Sequence, residues 1–327
     1  MMNSTEQQPD TIEDYYIVCS LSALFAVTAV AISITILIFV QRTKPRLHTV
    51  RHLLMCNTCI ASILYCIVQI NNYIFLIFLP SVTSDISCRW RGYFAYFTIS
   101  AITYSFLIQA ISRLFIVIFS TKYKCLITFK THHILIVIQW FTVIIVPLPA
   151  LITKDIYYRP NKLCWVPMKN ILHAFYGYIA YYTIPALSVF MFYIFIYYKV
   201  KQAKNKARPM LRLIHGEKRD LELLRNIVIL LSIYFIGGIP TLLFLLSSNR
   251  TLYLMGIVTI SLAVAVEKLC TILLDQELRQ VIRKLLTRTQ RIAPVDNTHT
   301  TARYQENQTN IQRTIVRTLP KTHITSF

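Results

Sequence analysis

Charge is scarce in this 327-residue chain, and acidic charge scarcer still. Charged residues make up 15% of it, with 14 Asp and Glu against 34 Lys and Arg. A soluble domain needs more charge to cover its surface, so that class is disfavoured. The eight cysteines are scattered without metal-ligand spacing. No His/Glu metal motif and no Ser-His or Asp-Asp pair falls within the apolar segments. A membrane-embedded enzyme is therefore disfavoured, and no metal or other cofactor is expected. The two halves do not repeat each other in the way that marks many transporters. Nor does Lys or Arg precede the first apolar run; Glu6, Asp10, Glu13 and Asp14 do. A cleaved secretory leader would begin with positive charge, so the first run is expected to be a permanent span that doubles as the targeting signal.

What fills the chain instead is apolar: 55% of its residues, with mean hydropathy +0.51. These residues come in seven blocks, near 15–40, 50–79, 92–119, 132–153, 171–198, 224–247 and 252–274. About 20 apolar residues carry a helix across a ~30 Å hydrocarbon layer, so each block predicts a transmembrane helix. Polar groups interrupt the sixth and seventh. The net charge of +20 lies between and after the blocks. Arg42, Lys44, Arg46 and Arg51 follow span one, and Lys122, Lys124 and Lys130 follow span three. A dense group from Lys199 to Arg219 follows span five, and another from Arg279 to Arg291 follows span seven. All four groups fall on one side if the N-terminus is outside, as the positive-inside rule requires. The charge thus points to anionic lipid, at about 1 kcal/mol per basic residue near the surface, and away from nucleic acid. His132 and His133, at the inner mouth of span four, are expected to face headgroups.

The expected organisation is an extracellular N-terminus, 1–14, a membrane domain, 15–290, and a polar, Thr-rich cytoplasmic tail, 291–327, expected to be disordered. Residues 276–289 read as an amphipathic helix, with Leu278, Val281, Ile282, Leu285 and Leu286 on one face, lying flat at the headgroup boundary. The inner segment 200–218 carries Pro209 and Gly216 and is expected to be mobile, with helical extensions of spans five and six. Asn3 and Asn249 stand in outer sequons and are glycosylation candidates; Asn307 falls in the inner tail. Cys88 and Cys164 fall in outer segments, in an oxidising compartment where a disulfide persists. A multi-pass protein of this topology binds something outside, moves something through, or reports something across.

Several spacings narrow that choice. Arg113 follows Cys88 by 25 residues, near the inner end of span three. Trp140 stands mid-span four, with Pro147 and Pro149 beyond it. Pro185 interrupts span five, and Tyr193 follows eight residues later. Span six reads Tyr234-Phe235-Ile236-Gly237-Gly238-Ile239-Pro240, with Asp220 at its inner end. Gln276-Glu277-Leu278-Arg279 follows span seven. Together these resemble the rhodopsin-like (class A) G-protein-coupled receptor family, over nearly all of residues 15–290. The resemblance implies an all-α membrane protein, a seven-transmembrane helix bundle with a short amphipathic eighth helix. It implies a Cys88–Cys164 disulfide, an Arg113–Asp220 latch in the inactive state, and a Tyr193 that swings toward Arg113 in the active one. Pro185 permits a bend in span five, Tyr234 is the packing aromatic below Pro240, and Gly237-Gly238-Pro240 make a soft hinge.

The departures are as informative. The family's Asp-Arg-Tyr reads Ser112-Arg113-Leu114 here, and its Cys-Trp before the span-six proline reads Gly237-Gly238. Its span-two aspartate aligns with Ser62, which makes sodium sensitivity doubtful. Its Asn-Pro-x-x-Tyr aligns with Lys268-Leu269-Cys270-Thr271-Ile272 and matches nowhere. Glu267 and Lys268 are expected to pair with other spans or to reach the interface. Ala95 stands where amine receptors carry an aspartate, so a peptide or small neutral ligand is favoured over an amine. The outer halves of the spans offer Gln69, Asn72, Tyr73, Tyr96, Thr98, Tyr178, Tyr181, Tyr182 and Thr241 as contacts. Outer basic residues, such as Arg159 and Lys162, hint at an acidic peptide. The expected function is a plasma-membrane receptor that binds an extracellular ligand and activates a heterotrimeric G protein by outward movement of span six. The alternative is a membrane transporter or channel without G-protein coupling, for which ionisable groups at mid-membrane depth are few.

Overall fold

The computed structural model describes residues 12–43, 49–79, 84–119, 124–159, 162–167, 170–206, 211–247 and 249–290. Among them no strand occurs, and seven helical segments are long and apolar enough to cross a membrane. Spans one to three are α1 (Ile12–Arg42), α2 (Val50–Phe78) and α3 (Asp85–Leu114). Span four is α4 (Phe129–Ile145) and α5 (Leu148–Ile152), broken at Pro147, which has no N–H to continue the ladder. Span five is α6 (Ile171–Tyr178), a π-helical turn (Ile179–Thr183) and α7 (Ile184–Lys206). Spans six and seven are α8 (Leu211–Ser247) and α9 (Arg250–Leu274), and α10 (Gln276–Gln290) follows. The seven-span unit runs to Leu278, and the described residues 279–290 fall in a separate unit.

Side-chain hydroxyls that might have broken these helices fold back onto them. Ser33 Oγ donates to Ala29 O at 2.8 Å, and Ser62 Oγ to Thr58 O at 3.0 Å. Ser232 Oγ donates to Val228 O at 2.8 Å, so α8 stays continuous through its polar positions. With no water in the hydrocarbon layer, such local partners are what make a polar residue tolerable there. Helix starts are capped in the same economy of groups: Ser84 accepts from Ser87 N–H, Thr128 from Thr131 N–H, and Asn249 from Thr251 N–H.

The middle rod is α3, which packs against α2, α4, α7 and α8, while α9 packs on α1 and α8. Ile99, Ile102, Phe106 and Ala110, spaced three or four apart, put one face of α3 into the main core beside Tyr234, Val189 and Val264. A buried amide network ties three spans together. Asn57 Nδ2 donates to Gln139 Oε1 at 2.6 Å, Gln139 Nε2 to Ala101 O at 3.1 Å, and Trp140 Nε1 to Asn57 Oδ1 at 3.0 Å.

The π-helical turn in span five has a local cause. Pro185 has no N–H for Tyr181 O, and the Ile184 N–H goes to Ile179 O instead of Ala180 O. Two carbonyls thus lose their ordinary helical donors. Both are met from α3: Thr103 Oγ1 donates to Tyr181 O at 2.7 Å, and Tyr104 OH to Ala180 O at 3.2 Å.

Candidate functional site

The two ends of the bundle differ in chemistry. Toward the Arg113 end lies a cavity of ≈ 50 Å³. It is lined by Arg51, Thr58 and Gln109, by Arg113, Asn226 and Glu267, and by Lys268, Thr271 and Asp275, together with Met55, Phe106, Ile227, Leu230 and Leu274. That volume has room for a few waters. On its wall Lys268 Nζ lies 2.9 Å from Glu267 Oε2, and each side chain is 1% exposed. The ammonium also donates to Thr58 O of α2 at 3.4 Å, and Thr271 Oγ1 donates to Glu267 O at 2.9 Å. The pair therefore binds α9 to α2 and does not reach the interface. Gln109 Nε2 donates to Thr58 Oγ1 at 2.7 Å, which brings α3 into the same network. Arg51 holds Asp275 at 2.9 Å, while Asp275 Oδ1 caps α10 through Leu278 N–H.

Arg113 is 8% exposed and has partners at this end. Its neighbour Ser112 meets His132 Nε2 at 2.9 Å, and His132 Nδ1 lies 2.8 Å from Thr128 O. A carbonyl only accepts, so in the neutral ring Nδ1 carries the proton and Nε2 accepts from the Ser112 hydroxyl. His132 is thus wholly buried, against the expectation that it faces headgroups; only His133 is exposed. The burial is tolerated because both ring nitrogens have partners inside the bundle, Ser112 of α3 and Thr128 O.

At the other end Cys88 and Cys164 are bonded, with Cα atoms 5.3 Å apart. The loop after α5 can lie on α3 because Gly92 has no side chain: a Cβ there would sit 2.3 Å from Cys164 O and 2.7 Å from Ile156 Cγ2. Asp85 Oδ1 accepts from Tyr158 N–H at 3.0 Å and pins the same loop. Beyond Cys164 the loop turns into the bundle. Trp165 packs with the cluster of Tyr73, Leu163 and Ile257, its ring 6.5 Å from that of Tyr96 and 6.4 Å from that of Tyr253.

One family's sequence model, described as 7 transmembrane receptor (rhodopsin family), matches residues 33–271. The chain belongs to the rhodopsin family of seven-transmembrane receptors. No individual curated protein matches it. The receptor keeps the family's disulfide and departs from its inner motifs, and the departures are physically compensated. Lys268 and Glu267 fill the polar interior with a pair of their own, and Ser112 is met by His132.

The residues singled out from sequence are placed as follows. Tyr193 is half-buried and stacks on Tyr197 at 6.5 Å. Asp220 belongs to α8, but its side chain lies outside the described residues, as Asn3 does altogether. Tyr234 is buried and stacks on Tyr182, which stacks on Tyr178, each pair at 5.6 Å. At Gly237 α8 lies close against α9: a Cβ there would lie 2.4 Å from Ala263 Cβ. Its carbonyl accepts from Thr259 Oγ1 at 2.8 Å. Gly238 has no such crowding; its nearest neighbour, Tyr182, would be 3.5 Å away. Pro185 is buried and Pro240 sits within continuous α8. Tyr73 OH meets Ser261 Oγ at 3.3 Å, and Tyr96 and Tyr181 are in ring contact at 5.2 Å. Thr98 Oγ1 is spent on Phe94 O and Ala95 O of its own helix. Gln69 and Asn72 are buried, and Gln69 Nε2, Asn72 Oδ1 and Thr241 Oγ1 have no partner among the described residues. Asn249 is exposed, with its side-chain carbonyl committed to the cap of α9. Trp165 was not singled out; adjacency to Cys164 was the only signal that pointed at it.

Proposed function

We propose that this receptor sits in the plasma membrane with its N-terminus and disulfide outside, and couples an extracellular ligand to a heterotrimeric G protein inside. The ligand is a peptide or small neutral molecule held among Gln69, Asn72, Tyr73, Tyr96, Tyr178, Tyr181, Tyr182 and Thr241. The observation that carries the reading is the contrast between the ends: a polar cavity beside Arg113, and aromatic rings packed beside the disulfide, with unpaired buried amides on α2. The cavity is too small for a protein segment, so a partner enters only when α8 moves outward. In this reading Asp220 holds Arg113 until ligand binding shifts a pre-existing equilibrium, and Tyr193 then takes its place near the arginine. Gly238 and Pro240 let α8 bend beside Gly237, which packs on α9, so the inner half swings without disturbing the outer half.

The test is nucleotide exchange on a purified heterotrimeric G protein by the full-length receptor. Asp220→Asn is expected to raise the basal rate several-fold, as removal of about 1 kcal/mol of latch would. An unchanged or lower rate at equal expression counts against the latch. Flux of ions or solutes through receptor-loaded proteoliposomes, with no exchange under any condition, would move the protein to the transporter or channel class.

A further inference from the structure

We propose that the turn Leu163–Val166 is a tethered occupant of the ligand site, and that the ligand is a peptide or peptide-like amide presenting an aromatic residue in its place. The proposal rests on the receptor reading above and names the ligand class of that same site.

The turn is gripped through its backbone. Leu163 N–H donates to Tyr253 OH of α9 at 3.2 Å, and Val166 N–H to Tyr96 OH of α3 at 3.0 Å. Trp165 O accepts from Arg159 Nη2 at 3.2 Å, and Trp165 N–H closes the turn on Leu163 O at 2.8 Å. The indole lies between two tyrosines, tilted by 46° to Tyr96 and edge-on at 80° to Tyr253. Two acceptors for amide N–H, one cationic donor for a carbonyl and a pair of rings are what an aromatic residue within a peptide requires. The chain's own segment supplies that chemistry.

The turn does not satisfy the site. Trp165 Nε1, Gln69 Nε2 and Asn72 Oδ1 are buried without a partner among the described residues, and Gln69 and Asn72 are 2% and 4% exposed. Buried unpaired polar groups are rare in folded proteins because each costs stability. A ligand larger than the turn, with its own donors and acceptors, would meet them. The disulfide beside Trp165 keeps the turn close even when displaced, so it competes at an effective concentration on the order of millimolar. The apparent affinity of the true ligand is lowered by the fraction of time the turn is in place.

The experiment uses the full-length receptor in nanodiscs and two probes. N-acetyl-tryptophanamide carries the ring with both flanking amides; 3-methylindole carries the ring alone. Unfolding temperature is followed against probe concentration. Wild type is expected to respond to neither below roughly millimolar concentration. Trp165→Ala, which loosens the turn by removing its ring, is expected to rise saturably with N-acetyl-tryptophanamide, at a midpoint about tenfold below that of 3-methylindole, since the probe's amides can take Tyr96 OH and Tyr253 OH from the displaced backbone. Adding Tyr96→Phe, which removes one of the two acceptors, should bring the two midpoints closer together, and an unchanged ratio would count against the proposal. Trp165→Leu keeps a large apolar side chain and hence the packing; it should raise both midpoints and preserve their order. No response in either variant, or equal midpoints for the two probes in either, overturns the proposal, the second result meaning a ring-sized gap and nothing more. Probe binding needs no G protein. Amide-selective binding without nucleotide exchange sinks the signalling reading alone, and exchange without such binding sinks this one alone.

Discussion

Glu267→Gln removes the charge that faces Lys268 and leaves the lysine where it is. At 2.9 Å the pair attracts by about 6 kcal/mol at an effective dielectric of ~20. Against this stands the cost of taking each ion out of water, several kcal/mol apiece, so the intact pair is near break-even. Removing one partner keeps the cost and discards the attraction. The ammonium would be left with Thr58 O at 3.4 Å and a neutral amide. The expected loss is about 3–5 kcal/mol, toward the lower figure because Gln can still accept through Oε1. At about 2 °C per kcal/mol for a unit of this size, the midpoint falls by roughly 6–10 °C. Glu267→Gln/Lys268→Met removes both charges and should recover most of that loss, with a coupling above about 1 kcal/mol. The assay is thermal unfolding of the full-length receptor, followed by alkylation of the buried free thiols Cys19, Cys59 and Cys66, which become reactive as the bundle opens. A single variant that unfolds with wild type would show that Lys268 does not depend on the carboxylate. A double variant that loses the sum of the two singles would show that they are not a pair.

Three further outcomes follow from the packing. Gly92→Ala forces a Cβ to within 2.3 Å of Cys164 O, so the loop must lift from α3; less Cys88–Cys164 bond and less receptor at the cell surface are expected, by non-reducing electrophoresis and surface labelling. Gly237→Ala should cost about 1–3 kcal/mol through overpacking on Ala263, whereas Gly238→Ala should be neutral or stabilise by about 0.5–1 kcal/mol. If Gly238→Ala also leaves nucleotide exchange unchanged, the hinge role of that glycine is lost. Thr103→Val strands Tyr181 O and should cost about 1–3 kcal/mol; in a Pro185→Ala background, which restores an N–H to that carbonyl, it should cost measurably less, and equal costs would sever the link between the proline and the hydroxyl.

The spans were legible because a bilayer-crossing helix needs a minimum apolar length, and that length is visible residue by residue. Which side of a span faces its neighbours was much less so. Lipid tails are as apolar as a helix interface, so Ile134 and Phe141, exposed on α4, read the same in sequence as the buried Val143. Hence Lys268 could not be told from an interfacial lysine, although it is among the largest fully buried side chains. His132 was misplaced for the same reason: its partner Ser112 lies twenty positions away, on another helix. Trp165 sits in a loop, where no periodicity exists to mark an inward side chain. Residues with a covalent or backbone signature fared better. Cys88 with Cys164, and Pro185 with its bend, declare a geometry whatever surrounds them.

The bonding of α3 bears on which helix can move. Along its length it is held in turn by the loop through Tyr96 OH, by span five through Thr103 and Tyr104, by α4 through Ala101 O and Ser112, and by α2 through Gln109. A shift of α3 along its axis would break bonds to each of them at once, in a medium with no water to replace them. Among the described residues, side chains bond α8 to α9 and α10: Thr259 to Gly237 O at 2.8 Å, Asn226 to Leu274 O at 3.4 Å, and Gln276 to Glu222 at 3.3 Å. Two of these three are long, and they lie at the Arg113 end, while the short one lies at the level of Gly237. If α8 swings as proposed, Gly237, packed on Ala263 and bonded to Thr259, is its anchor, and the bend falls to Pro240 and to the unencumbered Gly238.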